Sequence, residues 1–127
     1  FDDAVKKVYE HDYLHELVAF HDRPLYTRLL RNESLAWCEQ TEWDKLDHAD
    51  KVRCVQEEVY VIALERFIIP KGFDFNFKVA YNRALNKVCT TLCSGWFRDF
   101  AIDNYLEIEK AFDKSKVEGV INKLKGK

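Results

Sequence analysis

Cys89 and Cys93 stand four residues apart in this chain, and so do His11 and His15. On helices that spacing brings both members of a pair to one face. Two thiolates and two imidazoles on facing helices could then hold zinc. Structural zinc sites, however, draw at least one ligand pair from a turn with about two to four intervening residues, and both pairs here lie in helical sequence. The cysteines read as small buried side chains. His11 and His15, beside Asp12 and Glu16, read as a solvated face. The expectation is no metal and no cofactor.

Carboxylates also come in close pairs, Glu57 with Glu58 and Glu107 with Glu109. General acid–base chemistry needs such groups poised beside a proton relay, and neither pair has a histidine near it in sequence. Both are expected at the surface. The sequence contains no P-loop, no dinucleotide-binding glycine pattern, no HExxH and no nucleophile elbow. Its four glycines, Gly72, Gly95, Gly119 and Gly126, cannot form a phosphate-cradling loop. A non-catalytic protein is expected.

A net charge of −2 provides no strong field toward nucleic acid or an acidic membrane. One basic region exists: Lys110, Lys114, Lys116, Lys123, Lys125 and Lys127, with Arg23, Arg28 and Arg31 elsewhere. Lysines near a helix C-terminus complement its dipole, and no basic recognition helix accompanies them, so nucleic acid is not the expected partner. The longest apolar run, Val59 to Leu64, is far short of the ~18 residues a membrane span requires.

Cys38, Cys54, Cys89 and Cys93 could form two disulfides, and Asn32-Glu33-Ser34 is a glycosylation sequon. These features define an alternative: a secreted, disulfide-bonded helical carrier of a small apolar ligand. Reduced thiols in an intracellular domain are the preferred reading.

These groups must be positioned by helices. Only four glycines and two prolines serve 127 residues, too few for the turns of a sandwich or barrel. Apolar spacing proposes a series of helical segments. The first three cover about 3–19, 24–30 and 32–38. A fourth short one opens at Thr41 and Asp44 and carries Trp43 and Leu46. From about Asp50 a long helix runs to Ile68, stopped by Pro70 and Gly72. Its polar stripe is narrow, through Lys51, Glu58 and Glu65, which assigns it to the centre of the domain. A buried strand at Val59–Leu64 competes there because β-branched residues cluster. Asp74 should cap the next helix, with Phe77, Tyr81, Ala84, Leu85, Val88 and Leu92 on one face. Gly95 interrupts it, and another helix continues to Phe112 with a possible new cap at Asp103. Ser115 with Glu118 forms a capping box for the last helix. The fold class is all-α, a bundle of six to seven helices. With no methionine, the chain reads as a single domain, 1–127, excised from a larger protein.

At 100° per residue, Phe97, Ala101, Tyr105, Ile108 and Phe112 gather on one side of the Trp96–Phe112 helix. Trp96 and Phe100 flank that side, while Ile102 and Leu106 lie opposite, where a surface helix should be polar. So small a domain has little room to bury helices all round. Trp96, Phe100, Ile102 and Leu106 are therefore the candidate partner-binding residues, for another protein or for self-association. Should a bend near Asp103 instead bring both faces to the core, the strip would be internal.

Overall fold

The computed structural model describes Leu14 and residues 43–72, 75–91 and 95–125. It is all-helical, with no strand among the described residues. The three segments expected at 3–19, 24–30 and 32–38 lie outside these residues, as do Thr41, His11, His15, Trp37, Cys38, Asp74, Leu92 and Cys93, apart from Leu14, which is helical and buried. Trp43 and Asp44 are helical, and the chain turns at Leu46, whose N–H donates to the Trp43 carbonyl at 3.0 Å.

Helix α1, His48–Ile62, begins two residues earlier than its apolar pattern alone suggested. Asp47 caps it, its carboxylate accepting from the Asp50 N–H at 2.8 Å, which satisfies one of the donors a helix start leaves open. Every residue from Cys54 to Leu64 is buried, so α1 is the axis of the fold. The β-branched cluster at Val59–Leu64 is helix, not strand.

The helix then widens into a π segment, Ala63–Ile68, in which the Ile69 N–H reaches back five residues to the Leu64 carbonyl. A last α turn, Ile69–Lys71, follows. Pro70 has no N–H to donate, and it sits where the hydrogen-bond ladder is already irregular. Gly72 ends the run at φ 91°, a left-handed conformation that a side chain resists. Its carbonyl accepts from the Phe75 N–H at 3.3 Å, tightening the turn into the next helix.

Helix α2, Phe77–Thr90, is capped by Asn76, which accepts from the Val79 N–H at 3.2 Å, two residues beyond the Asp74 expected for that role. Ala80, Tyr81, Ala84, Leu85 and Val88 are all fully buried. Alanines at 80 and 84 allow α2 to approach α1 closely. Helix α3 runs Gly95–Asp103 and α4 Tyr105–Lys110. The break falls at Asn104, whose side-chain amide and backbone N–H both donate to the Phe100 carbonyl, at 2.9 and 3.0 Å. Such local bonding by an asparagine competes with the regular ladder, so the break sits one residue past the expected Asp103.

Helix α5, Lys114–Lys125, is capped by Asp113 rather than by Ser115. The Asp113 carboxylate accepts from the Ser115 hydroxyl at 2.6 Å and from the Ser115 and Lys116 N–H groups at 3.0 and 3.4 Å. Those bonds, the serine hydroxyl's above all, pull the Asp113 carboxyl below its ordinary range. Val117, Val120 and Ile121 place the inner face of α5 in the core.

Two buried tyrosines, one on α1 and one on α2, fasten the α4–α5 junction to the core. Tyr81 on α2 donates its hydroxyl to the Ile108 carbonyl at 2.9 Å. The Tyr60 hydroxyl on α1 accepts from the Asp113 N–H at 2.6 Å. Their rings meet at 5.0 Å, and Phe112 lies 5.0 Å from Tyr81 and 6.1 Å from Tyr60. Burial raises the Tyr60 hydroxyl from 10.0 to about 12, and it raises Tyr81 as well.

One expectation fails outright. Glu57 has no exposed surface and Glu58 only 7 %, so this carboxylate pair is internal. The same encirclement that buries Val55 and Val59 encloses Glu58 in the middle of the polar stripe, while Lys51 and Glu65 at its ends are half-buried. Glu57 acts electrostatically on Lys116, whose amine is pushed down by burial and held up by that carboxylate.

Candidate partner-binding surface

Helices α3 and α4 present two different faces. Phe97, Ala101 and Ile108 are fully buried, while Tyr105 and Phe112 are half-buried. This inner face holds the pair of helices on the core despite the break, since the Ile108 N–H still reaches the Asn104 carbonyl at 3.0 Å. On the outer face Ile102 is 51 % exposed and Leu106 68 %. The bend at Asn104 does not bring them inward.

The four residues singled out by spacing therefore separate into two pairs. Trp96 and Phe100 are half-buried, with ring centroids 5.0 and 5.5 Å from Trp43, which also lies 5.3 Å from Phe97. Such contacts hold α3 to the segment preceding α1. Trp96 and Phe100 thus form a supporting layer, and Ile102 and Leu106 are the residues open to solvent. Trp43 was legible as apolar but not as the centre of this cluster, because its partners lie more than fifty residues further along.

Charge surrounds the apolar pair. Asp99, Asp103 and Glu107, four residues apart, are all exposed, with Arg98 and Lys110 at the two ends. Glu107 accepts a hydrogen bond from His48 Nε2 at 2.7 Å, with both side chains about half exposed at 52 and 56 %. The His48 ring also lies 5.5 Å from Phe100. This contact ties α4 to the first turn of α1, although so exposed a polar contact contributes only about 0–1 kcal/mol.

Other groups with chemical potential are placed less favourably. Cys54 and Cys89 are buried thiols. Burial pushes the Cys89 thiol up, which keeps it protonated and poorly nucleophilic. Among the described residues no three of His, Cys, Asp and Glu come together as a metal site. Of the four conceivable zinc ligands only Cys89 lies within them. Phe75, Asn76, Phe77, Lys78, Phe112, Lys114 and Glu118 line an open groove of about 300 Å³. Lys78 is already engaged there, donating to the Glu109 carbonyl at 2.8 Å with its ammonium 5.0 Å from the Phe112 ring. In the basic C-terminal stretch Lys114 pairs with Glu118 at 3.6 Å. No helix among the described residues is long and apolar enough to cross a membrane.

Residues 1–122 match the family described as "Domain of unknown function (DUF7275)", and the chain belongs to that family. No curated protein and no solved structure matches it.

Proposed function

We propose that this member of the DUF7275 family is a non-catalytic interaction module of a larger intracellular protein, its full chain a bundle of six or seven helices. It engages a protein partner, or another copy of itself, through the outer face of α3 and α4, as a scaffold or dimerisation element. One observation carries this reading: Ile102 and Leu106 stand 51 and 68 % exposed, one turn apart, on helices whose inner face is held in the core by the fully buried Phe97, Ala101 and Ile108. Scattered apolar residues are ordinary on protein surfaces. Two of them one turn apart, on helices that Trp43, Trp96 and Phe100 help hold in place from another side, form an anchor of the kind used by helical interfaces.

Leu106→Glu and Ile102→Glu test the reading. In the free domain the new carboxylate stands in water, so thermal melting should be unchanged. Association requires that charge to be desolvated, at a cost of several kcal/mol, so co-purification with the full-length chain's partner and any self-association seen by light scattering should be lost. A variant that melts normally and keeps its partner defeats the proposal.

A further inference from the structure

We propose that the occupant of the α3–α4 face is a second copy of this chain, docked head to tail through a basic patch at the α1–α2 turn. This inference rests on the reading of α3–α4 as a binding surface and names what binds there. Four large hydrophobic side chains are exposed among the described residues: Ile69 at 41 %, Val79 at 39 %, Ile102 at 51 % and Leu106 at 68 %. They form two pairs on different parts of the fold. Ile69 opens the last α turn, Ile69–Lys71, and Val79 lies in the first turn of α2, on either side of the turn closed by the Phe75–Gly72 hydrogen bond.

The two pairs sit in opposite electrostatic settings. Exposed Arg66 and Lys71 flank Ile69, and exposed Arg83 follows Val79 by one turn, its guanidinium 5.7 Å over the Phe75 ring. The exposed charges on this side, Arg66, Lys71 and Arg83, are all basic, with half-buried Glu65 one turn before Ile69 and Lys78 taken up by the Glu109 carbonyl. Around Ile102 and Leu106 the balance reverses: Asp99, Asp103, Glu107 and Glu109 stand against Arg98 and Lys110. One molecule thus carries an apolar pair in a basic field and an apolar pair in an acidic field. Copies joined unlike face to unlike face match both apolarity and charge. A two-fold pairing of the α3–α4 face with itself would set acidic columns against each other, an arrangement that electrostatic complementarity disfavours. Unlike-face docking leaves one free surface at each end, so it extends into chains or closes into rings. With two apolar anchors per face, the contact is weak and grows with protein concentration.

The test uses the complete chain in three forms: wild type, Ile102→Glu with Leu106→Glu, and Ile69→Glu with Val79→Glu. Sedimentation velocity should show wild type growing with concentration and shrinking when salt is added. Each double variant alone should stay monomeric, its association weakened at least tenfold. An equimolar mixture of the two should form a one-to-one dimer and nothing larger, because each supplies the face the other lacks. Should either double variant melt early, Asp99→Asn with Asp103→Asn, and Lys71→Gln with Arg83→Gln, give the same experiment through loss of exposed charge alone, with no new pairing between the two altered faces. Wild type that stays monomeric at every concentration, with no dimer in the mixture, overturns the proposal. So does self-association that survives in the Ile69→Glu, Val79→Glu variant but not in the other, which assigns α3–α4 to two-fold pairing and leaves its role as a binding surface intact. Loss of a different partner on Leu106→Glu, with the wild-type domain monomeric, likewise separates the two readings.

Discussion

Alkaline pH should destabilise this protein through two hydroxyls in its core. In the unfolded chain both Tyr60 and Tyr81 lose their protons near pH ~10. In the fold, burial keeps Tyr60 protonated up to about 12, and Tyr81 is raised in the same direction. A pKa raised by folding stabilises fully below the unfolded value, and that stability is lost as pH climbs toward the folded one. Across roughly pH 10 to 12 the unfolded chain therefore holds fewer protons, and each hydroxyl lowers stability by about 1.4 kcal/mol per pH unit. Tyr60 alone accounts for roughly 2–3 kcal/mol by the top of that window, and Tyr81 adds a parallel slope. Against a typical total of about 5–15 kcal/mol, the two together bring the fold near its limit. Lys116 acts in the opposite sense, since burial lowers its amine and the folded state releases that proton first. Urea melts followed by tryptophan fluorescence, at successive pH values from 8 to 12, measure the slope. Tyr60→Phe should remove about half of the loss and Tyr81→Phe most of the remainder. A folded protein whose Tyr60 and Tyr81 ionise near pH 10, or a slope left at full size by both substitutions, refutes the reasoning; Cys89 and Tyr105, also raised by burial, supply a remainder of the same sign.

Val59→Ala removes two methyl groups from a site with no exposed surface and should cost about 1–3 kcal/mol in denaturant melts; a change near zero means that α1 is not the axis of the core. Gly72→Ala meets no neighbouring atom within 4 Å, so its cost comes from the φ of 91° alone. With ψ at 159°, that conformation is essentially reserved for glycine and should lower stability by about 1–3 kcal/mol, whereas a neutral result shows that the α1–α2 turn relaxes without penalty.

Apolar periodicity is sufficient to read the all-α class, the central place of α1 and the inner face of α3 and α4, because one-sided burial repeats with the helix turn. It fails where burial is not one-sided. Lys51, Glu58 and Glu65 read as a solvent stripe because polar residues ordinarily face water. Yet Glu57 and Glu58 are enclosed, and what covers a helix on its fourth side is a long-range fact with no local trace. Caps were misplaced by one or two residues for a related reason. Asn76, Asn104 and Asp113 each compete with a plausible neighbour, and the geometry of the turn decides between them. Ile102 and Leu106 were visible as a second apolar strip, but Trp96 and Phe100 could be set apart from them only once Trp43 was placed beside them.

The π segment at Ala63–Ile68 gives α1 a tolerance that its upstream half lacks. Each of its hydrogen-bonded rings spans one residue more than a regular α turn, so the backbone there stores slack. Losing one residue from the buried run Cys54–Ile62 would swing every later side chain by about 100° and carry Ile68 off the core. Losing exposed Arg66 could instead be absorbed by tightening the widened turns back to α geometry, with both flanks keeping their faces. Length variation in this helix is therefore expected to concentrate within six residues, next to the turn that leads into α2.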